Sequence, residues 1–492
     1  MPATEGARGC LQKGFGKRTL CSLLVALSIT SLVVASYVLS AGTSELFQAL
    51  SSPHSLTYNK SSTERPKNIV QSVKPCSVNA TFISPRLVVS ITKEREIQLT
   101  GRRIPDVAEL EQYEPHLFSV IPQKFLGLSR SPCWYQKYDG NYSADPYGKN
   151  DYSLYAKRLH AIFEELRQGF QERLQLIEGQ QYRLRCLPHF YIIGQPKCGT
   201  TDLYDRLRLH PNVQFSVIKE PHWWTRKRFG IVRVKEPFHK PFPLEDYLDL
   251  FDWAAKKIQD YHSLGIEAGR RDPILIGEAS ASTMWDNSAW SYFYDNVTNT
   301  EPPVLIQDFI HAFQPRAKFL VMLRDPVERL YSDYLYFSIA NKSAEDFNDK
   351  VNESLQMFDS CLQGSSLRAC AYNTTFSNIL PVRLHVGLYV VYLWDWLTVF
   401  NPDHFLILRL EDHAVNPKQS MRLVYQFLGL GALNNEQEAS MSHKKASNSR
   451  RPEDCSLGPM LPQTRQLLVD YYRPYNQKLA QLLSNRAFLW ER

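Results

Sequence analysis

An α/β fold with a P-loop-like parallel sheet flanked by helices is predicted by three observations. First, five short apolar runs alternate with segments of helical apolar spacing; the runs are 189–193, 213–218, 274–276, 318–323 and 405–410. Second, the runs are apolar along their length, which is typical of parallel strands buried on both faces. Third, a glycine-containing loop follows the first run and leads into a helical segment. Ligands bind beyond the carboxyl ends of such strands, so the residues after each run are the candidate site.

The first forty residues predict a membrane anchor. An uncharged stretch, 19–44, follows four basic residues, Arg8, Lys13, Lys17 and Arg18. A helix needs ~20 apolar residues to cross a bilayer, and basic residues on the N-terminal side stay in the cytosol. We therefore predict a cytosolic tail at 1–18, a signal-anchor helix at 19–40 and a luminal remainder. A cleaved signal peptide is the alternative, since small residues follow the stretch, but its apolar region is usually only ~7–15 residues long.

The composition excludes several classes of protein. The 492 residues are 43% hydrophobic and 22% charged, with a net charge of +7, which excludes collagen, coiled-coil rods and disordered acidic tails. The mean hydropathy of −0.34 excludes a polytopic membrane protein but allows one span. Because residues 1–18 hold four basic residues and one acid, about half of the excess charge lies in the tail. A polyanion would have to be bound by local clusters of basic residues.

Sequons and cysteines fit a luminal location. Seven N-x-[ST] sequons lie beyond the span, at Asn59, Asn79, Asn141, Asn296, Asn341, Asn352 and Asn373. Seven of the nine cysteines lie there too, an odd number, so at least one is free or intermolecular. We predict a disulfide between Cys361 and Cys370, which are close enough in sequence to clip one loop.

The luminal chain divides into three parts. Residues 41–86 are rich in Ser, Thr, Pro and Asn and predict a flexible stem, which is open to proteolysis. Residues 87–185 predict a region that packs on the catalytic domain, including an amphipathic helix between Asp151 and Gln180 with apolar residues at three- and four-residue spacing. Residues 186–492 form the predicted catalytic domain.

The loop after the first apolar run predicts an anion site. A strand ending at Ile193 is followed by Gly194–Thr201, with a helix predicted to begin near Thr200. Glycines let backbone N–H groups approach an anion, and the helix N-terminus adds positive potential. The side chains and amides expected to contribute are those of Lys197, Cys198, Gly199, Thr200 and Thr201. A structural turn with a surface lysine is the alternative.

The loop differs from a Walker A loop. Thr200 stands where Walker A has its lysine, and Arg324 ends the later strand where a Walker B acid would be expected. These departures argue against a luminal nucleotide phosphotransferase, which Mg²⁺-dependent ATP turnover would support.

The motif PKCGTT after a buried strand resembles the 5′-phosphosulfate loop of the Golgi carbohydrate sulfotransferases, which use 3′-phosphoadenosine 5′-phosphosulfate (PAPS). The resemblance implies a sulfotransferase fold with PAPS as co-substrate and no required metal. It also implies that Arg324 and Ser332, in the segment RDPVERLYSDYLYF, hold the 3′-phosphate. An arginine at a strand's carboxyl end is suited to grip a phosphate, although it could instead pair with a neighbouring acid.

The segment KEPHWWTRKRFG resembles the acceptor side of the glycosaminoglycan sulfotransferases. The resemblance implies that Glu220 is the general base and that His222 assists it; a base is needed because an alcohol is a poor nucleophile. Trp223 and Trp224 are expected either to stack on sugar rings or to pack in the core. Arg226, Lys227 and Arg228 are expected to bind an anionic glycan, the alternative being a solvated loop.

Similarity within the family implies a particular acceptor. Four motifs, GQPKCGTT, KEPHWWTRKRFG, GEASASTMWDN and RDPVERLYSDYLYF, resemble enzymes that sulfate C6 of N-acetylgalactosamine 4-sulfate in chondroitin or dermatan sulfate. Heparan enzymes have a lysine where this chain has Ala279, which weakens a heparan assignment.

Arg450 and Arg451 are expected in a C-terminal loop that covers the nucleotide. The implied location is the Golgi membrane, with the catalytic domain luminal and no nucleic-acid partner.

A non-enzymatic alternative is a membrane-anchored protein that binds sulfated glycans through its basic and Trp-rich loop. Glycan binding without PAPS binding would favour it. The sequence leaves open the oligomeric state, including a homo-oligomer, and the release of a soluble form by cleavage of the stem.

Overall fold

The computed structural model describes residues 97–492, except 141–143, 232–239, 264–270, 288, 294–300, 339–341, 448 and 492. The predicted tail, span and stem lie outside the described residues, as do Cys76 and five sequons, at Asn59, Asn79, Asn141, Asn296 and Asn341. Among the helices that are described, none combines the length and the apolar character needed to cross a membrane.

In the part of the chain that the structure describes, eight strands form two sheets. They are β1 Cys133–Lys137, β2 Gln175–Ile177, β3 Gln180–Cys186, β4 Phe190–Gly194, β5 Val213–Phe215, β6 Leu275–Glu278, β7 Lys318–Leu323 and β8 Phe405–Arg409. The larger sheet has the order β5-β6-β4-β7-β8, and every neighbouring pair in it is parallel. The predicted parallel sheet is thus confirmed, and its five strands come from the five apolar runs.

The strand β5 is shorter than the apolar run 213–218. It ends at Phe215 because Ser216 turns the chain: its hydroxyl donates to the carbonyl of Ile218 at 2.7 Å. Local side-chain bonds of this kind compete with the sheet ladder. The following residues therefore leave the sheet and are free to form a site loop.

Nineteen α-helices lie in the described residues, and most of the longer ones belong to the catalytic domain. In chain order they are α1 Val107–Tyr113, α2 Pro115–Val120, α3 Tyr152–Tyr155, α4 Arg158–Arg167, α5 Thr200–Leu207, α6 Leu244–Asp249, α7 Asp252–Ser263, α8 Trp290–Phe293, α9 Ile306–Phe313, α10 Pro326–Phe337, α11 Ala344–Gly364, α12 Leu367–Tyr372, α13 Thr374–Ile379, α14 Tyr389–Trp396, α15 Leu410–Val415, α16 Pro417–Leu428, α17 Asn435–His443, α18 Pro452–Cys455 and α19 Pro462–Leu482. Short 3₁₀ turns lie at Gln171–Arg173, Lys227–Phe229, Leu384–Gly387, Pro402–His404 and Arg486–Leu489.

The predicted helix between Asp151 and Gln180 is wrong in its second half. The helix α4 ends at Arg167, and Gly169 follows at φ +68°, a conformation that does not continue a helix. Glu178 and Gly179 then turn the chain at φ +50° and +76°, joining β2 to β3 as a hairpin. The helical spacing of the apolar residues did not reveal this change of structure.

The smaller sheet, of order β1-β3-β2, is antiparallel, and ion pairs join it to the helices α6 and α7. Arg183 and Arg185 of β3 form buried ion pairs with Asp249 and Asp252 near the start of α7. A disulfide between Cys133 and Cys186 crosses β1 and β3, a pairing that the sequence did not indicate. The ion pairs hold the smaller sheet against α6 and α7.

The central strands of the parallel sheet lie in the hydrophobic core. The strands β4 and β7 are buried almost throughout, and the ring of Phe319 contacts Trp396, Phe400 and Phe405. Gly277 has no room for a side chain, because a Cβ there would lie 2.3 Å from the Phe190 ring. This packing fixes the strand that leads to the GEASAST segment.

The predicted disulfide between Cys361 and Cys370 is present and clips α11 to α12. Cys198 and Cys455 are the free cysteines among the described residues; the first is buried and the second exposed.

Candidate active site

Four segments meet at the carboxyl edge of the parallel sheet. They follow β5, β6, β4 and β7, which are consecutive neighbours in the sheet. Backbone hydrogen bonds join the segments: Glu220 N donates to Ala279 O at 2.9 Å, and Met284 N donates to Ile193 O at 2.9 Å. The segment after β6 thus connects the predicted acceptor base with the predicted phosphate loop.

The phosphate loop is held in an unusual backbone conformation. Lys197 and Gly199 have φ values of +66° and +89°, and α5 begins at Thr200 as predicted. A non-glycine residue in the left-handed region costs of order 1–3 kcal/mol and is common at functional sites. Lys197, Glu220 and His222, the three residues predicted to be catalytic, all have positive φ.

The side chain of Lys197 lies among other charges. Its ammonium nitrogen is 3.7 Å from the centre of the Tyr336 ring, which belongs to α10. Burial lowers the pKa of Lys197; Asp333 opposes that shift, and the nearby Arg324 and Arg383 add to it. Several cations in one place are costly unless an anion joins them, so this arrangement fits a polyanionic ligand.

Two further features of the loop fit such a ligand. The Gln195 side chain is buried, and its amide nitrogen and oxygen find no partner among the described residues. Buried polar groups are normally paired, and the amide is therefore a candidate ligand contact. Cys198 is also buried, and burial raises its pKa to about 12, so this thiol is a packing residue and no nucleophile.

Arg324 and Ser332 lie where the resemblance placed them. Arg324 directly follows β7 and precedes Asp325, the N-cap residue of α10, and Ser332 lies within α10. The Arg324 guanidinium donates to Lys197 O at 3.4 Å and is 3.8 Å from Glu328. The neighbouring acids bind other groups: Asp325 accepts a hydrogen bond from Val327 N, and Asp333 forms an ion pair with Arg383. Arg324 is thus only loosely paired and can bind an anion.

The C-terminal basic segment spans α5 and α10. Arg206 of α5 donates to Met441 O and Lys444 O, and Ser447 N donates to Asp202 at 2.9 Å. Further along, the two predicted arginines contact residues of α10. Arg450 lies 5.4 Å from the centre of the Tyr331 ring, and the Arg451 side chain donates to Leu335 O. We call residues 441–447 and 449–451 the strap.

Two carboxylates of α5, Asp202 and Asp205, hold the strap; Asp205 accepts from Ser447 Oγ at 2.6 Å and lies 3.4 Å from Lys444 Nζ. Asp202 accepts from Arg206 at 2.6 Å and from His413 at 2.8 Å, in addition to Ser447 N. Burial opposes ionisation of Asp202, but these bonds outweigh it and hold its pKa well below the usual range. The helix that follows the phosphate loop therefore also holds the strap.

Glu220 is a paired, ionised carboxylate with part of its surface open. Lys219 Nζ donates to Oε1, and His222 Nε2 lies 3.1 Å from Oε2. Burial opposes ionisation, but the hydrogen bond from His222 and the charge of Lys219 prevail and lower the Glu220 pKa to about 2. Its side chain is 32% exposed, so an acceptor hydroxyl can reach it.

Serines of the segment after β6 support this pair. Ser282 Oγ lies 2.7 Å from His222 Nδ1, and Ser280 Oγ accepts from His222 N at 2.9 Å. Ser280 in turn donates to Glu278, which is buried at the end of β6. Burial raises the pKa of Glu278 to about 7, against the Ser280 hydrogen bonds and with the help of the Glu220 charge. The sequence had assigned no role to these three side chains, because no spacing rule links them to Glu220.

The predicted sugar-stacking role of Trp223 and Trp224 is wrong. Both residues are only 3% exposed; Trp223 stacks on Tyr247 at 4.9 Å and donates to Phe242 O. They pack in the core, which was the alternative.

The basic run 226–228 is not the exposed cationic cluster that the sequence predicted. The prediction that Arg228 contacts a glycan is wrong, because its side chain is only 5% exposed, pairs with Glu114 and lies against the Phe229 ring. Arg226 pairs with Asp286 at 2.6 Å. Lys227 lies over the rings of Tyr152 and Phe242, and burial lowers its pKa to about 8.

Exposed aromatic side chains lie elsewhere in the site, where sequence reasoning missed them. Tyr336 and Phe337, at the end of α10, are 57% and 55% exposed. Arg383, which no motif marks, lies 4.4 Å from the Phe337 ring centre and pairs with Asp333. The signal that could have found the two rings was their position, five residues or fewer beyond Ser332 on the same helix.

Among the residues that the structure describes, no three His, Cys, Asp or Glu side chains group as a metal site would require.

The sheet, the strained phosphate loop and the Arg324 helix define a sulfotransferase, and the chain belongs to the sulfotransferase family. The family model described as "Sulfotransferase domain" matches residues 187–457, which include every segment of the site described above. The enzyme class predicted from the loop motif, a PAPS-dependent sulfotransferase, is confirmed.

Named relatives resemble almost the whole chain. This chain is 54% identical to human carbohydrate sulfotransferase 15 over 501 residues, which cover 99% of this chain and 89% of that protein. It is 55% identical to the rat carbohydrate sulfotransferase 15 over 503 residues, with the same two coverages. A solved sulfotransferase from Alicyclobacillus acidocaldarius is 22% identical and covers 61% of this chain and 98% of its own, with a TM-score of 0.39.

Proposed function

We propose that the protein transfers sulfate from PAPS to the C6 hydroxyl of N-acetylgalactosamine 4-sulfate in chondroitin or dermatan sulfate, giving the 4,6-disulfated unit. The observation that carries this proposal is one sheet edge with two functions: a cationic loop at Lys197 and an ionised, accessible carboxylate at Glu220. The high identity to carbohydrate sulfotransferase 15 over nearly the whole chain supports the same reaction.

The residues that would hold PAPS are those of the phosphate loop, Arg324, Ser332 and the strap. PAPS supplies the sulfuryl group and a phosphate as its leaving group. Lys197, the loop amides from Cys198 to Thr201 and the N-terminus of α5 would offset the negative charge that develops on the phosphate oxygen. Arg324 and Ser332 would contact the 3′-phosphate, and Arg450 and Arg451 would cover the nucleotide.

Glu220 would take the proton of the acceptor hydroxyl. Its carboxylate is ionised, so it is ready to accept a proton, and His222 and Lys219 fix its orientation. A direct in-line transfer needs no nucleophile from the protein, in agreement with the buried, protonated Cys198. The chain's contribution is positioning and electrostatics, as in phosphoryl transfer.

The acceptor ring would lie against Tyr336 and Phe337. These exposed rings can receive the apolar face of a sugar, and Arg383, whose side chain is 24% exposed, lies next to Phe337 and can attract the acceptor's 4-sulfate. This assignment replaces the one made from sequence for Trp223 and Trp224.

The cellular setting is part of the proposal. An N-terminal signal-anchor at 19–40, a stem at 41–86 and a luminal catalytic domain from 186 would place the site in the Golgi lumen, as a single-pass type II membrane protein. Two sequons are described: Asn373 is exposed at the N-cap of α13, whereas Asn352 is half-buried and donates to Asn348 O within α11. Of these two, Asn373 is the better candidate for glycosylation.

The test is sulfate transfer from labelled PAPS to desulfated and 4-sulfated chondroitins, followed by disaccharide analysis. We expect 6-sulfation of 4-sulfated N-acetylgalactosamine, and losses of about a hundredfold or more in Lys197→Ala and Glu220→Gln. Transfer to a different position would refute the acceptor and leave the enzyme class intact. Near-wild-type turnover in both folded variants would refute the assigned mechanism.

A further inference from the structure

The imidazole of His222 is held from both sides. On one side Nε2 lies 3.1 Å from Glu220 Oε2, and on the other Nδ1 lies 2.7 Å from Ser282 Oγ. Ser282 Oγ is also 2.9 Å from Thr225 Oγ1. The four side chains therefore form one hydrogen-bonded chain, from the accessible carboxylate to a hydroxyl that is buried with its residue only 1% exposed.

The direction of the hydrogen bonds follows from what each group can donate. An ionised carboxylate only accepts, so the hydrogen on the Glu220 side must belong to His222 Nε2. Burial lowers the pKa of His222, so its ring is neutral and Nδ1 is an acceptor. The Ser282 hydroxyl then donates to Nδ1, and its oxygen can accept the hydrogen of Thr225.

We infer that Ser282 and Thr225 are positioning residues that fix His222 as the Nε2–H tautomer and thereby orient the carboxylate of Glu220. In the opposite tautomer the Nε2 lone pair would face the Oε2 of an anion, and two acceptors would repel each other. A buried partner that sets the tautomer of a histidine is a recognised means of organising an active site.

The backbone makes this control necessary. Glu220 and His222 have φ values of +61° and +52°, so their segment is strained and depends on its surroundings for its shape. Ser282 belongs to the segment after β6, and Thr225 belongs to the segment after β5. The hydroxyl pair therefore also ties the two segments together beneath the base. This inference rests on the proposed role of Glu220.

The test uses the full chain in detergent, with PAPS and 4-sulfated chondroitin. We expect kcat to fall about tenfold or more in Ser282→Ala and Thr225→Val, with the KM for PAPS within about twofold of wild type, since misplacement by a fraction of an ångström is costly. Ser282→Thr and Thr225→Ser keep a hydroxyl and should recover most of kcat. Ser420→Ala and Thr464→Val remove buried hydroxyls that bind outside the segments of the site, to Asn416 O and Asn348, and serve as matched controls.

Ring ¹⁵N spectra of histidine-labelled protein give a second readout, with the His222 signals identified by comparison with His222→Asn. The wild-type ring should show a protonated Nε2 and an unprotonated Nδ1, and Ser282→Ala should show a mixture. A wild-type ring protonated at Nδ1 would overturn the inference, and so would wild-type kcat in both Ser282→Ala and Thr225→Val. If Glu220→Gln is inactive while these two variants are normal, only the inference fails; if Glu220→Gln is active, the proposed role of Glu220 as the base fails as well. If the wild-type protein transfers no sulfate to 4-sulfated chondroitin, the proposed function fails.

Discussion

The ammonium group of Lys197 lies 3.7 Å from the centre of the Tyr336 ring, so the principal cation of the phosphate loop rests on an exposed aromatic side chain from the helix that follows Arg324. A cation over an aromatic face is stabilised by about 0.5–2 kcal/mol. This contact joins the donor and acceptor halves of the site.

Tyr336→Ala should lower kcat/KM for PAPS about tenfold, because Lys197 loses the ring that holds it in place. Tyr336→Phe keeps the ring and is the matched variant, with activity expected near wild type. Steady-state kinetics at saturating acceptor would separate the two variants. Equal losses in both would show that the phenolic hydroxyl matters and that the cation–ring contact does not.

Arg324→Ala should remove the preference for a 3′-phosphate. Wild-type protein should bind 3′-phosphoadenosine 5′-phosphate more tightly than adenosine 5′-monophosphate. In the variant the ratio of the two dissociation constants should fall by about tenfold or more, because a guanidinium–phosphate pair is a strong charge-assisted contact. Isothermal titration with both nucleotides measures it. The assignment of Arg324 would be wrong if both nucleotides lost the same affinity.

Asp202→Asn should destabilise the protein by about 3 kcal/mol, because it leaves the buried Arg206 without its carboxylate. The strap would lose one of its anchors as well, although Asp205 still binds Ser447, so the KM for PAPS should rise. Asp260→Asn, at an exposed pair with Lys256, is the control and should change stability by less than about 0.5 kcal/mol. Urea unfolding and PAPS kinetics would report both effects, and an unchanged KM would separate the strap from nucleotide binding.

Glu278 should make stability fall as the pH rises. Its pKa is raised from 4.5 to about 7 by burial, so the folded state keeps a proton that the unfolded chain has lost between these values. Stability contributed by the protonated form is therefore complete below about pH 4.5 and is lost as the pH rises through 7, by up to about 3 kcal/mol.

Glu278→Gln should remove this slope. Unfolding measured from pH 4.5 to 8 in both proteins tests it, and the difference isolates Glu278 because Asp246, whose pKa is also raised to about 7, is present in each. Parallel stability profiles would contradict the prediction.

The two disulfides should contribute unequally. The crosslinks span sequence separations of 53 and 9 residues, for Cys133–Cys186 and Cys361–Cys370. The loop-entropy model gives about 4 kcal/mol for the longer loop and about 3 kcal/mol for the shorter. Replacing each pair by alanine and measuring urea unfolding without reductant would test the order, with exposed Cys455→Ala as the control. A larger loss for the shorter loop would contradict it.

The fold class and the nucleotide half of the site could be predicted from the sequence because their signals are local. Each parallel strand is a continuous apolar run, and PKCGTT and RDPVERLYS place Lys197 and Arg324 just after strands and Ser332 on the helix that follows. The disulfide between Cys361 and Cys370 was predictable for the same reason, since few residues separate its ends.

The acceptor half was decided by tertiary packing. The sequence left open whether Trp223 stacks on a sugar or packs in the core, and it favoured Arg228 as a glycan contact; burial against Tyr247 and pairing with Glu114 take both out of the site. Nothing local indicates that Arg383 would lie beside Phe337, or that Ser282 would reach His222 across two strands. The sequence determines the chemical groups and the order of strands that carry them; which of those groups face an acceptor depends on contacts between distant segments, and only the folded chain sets those.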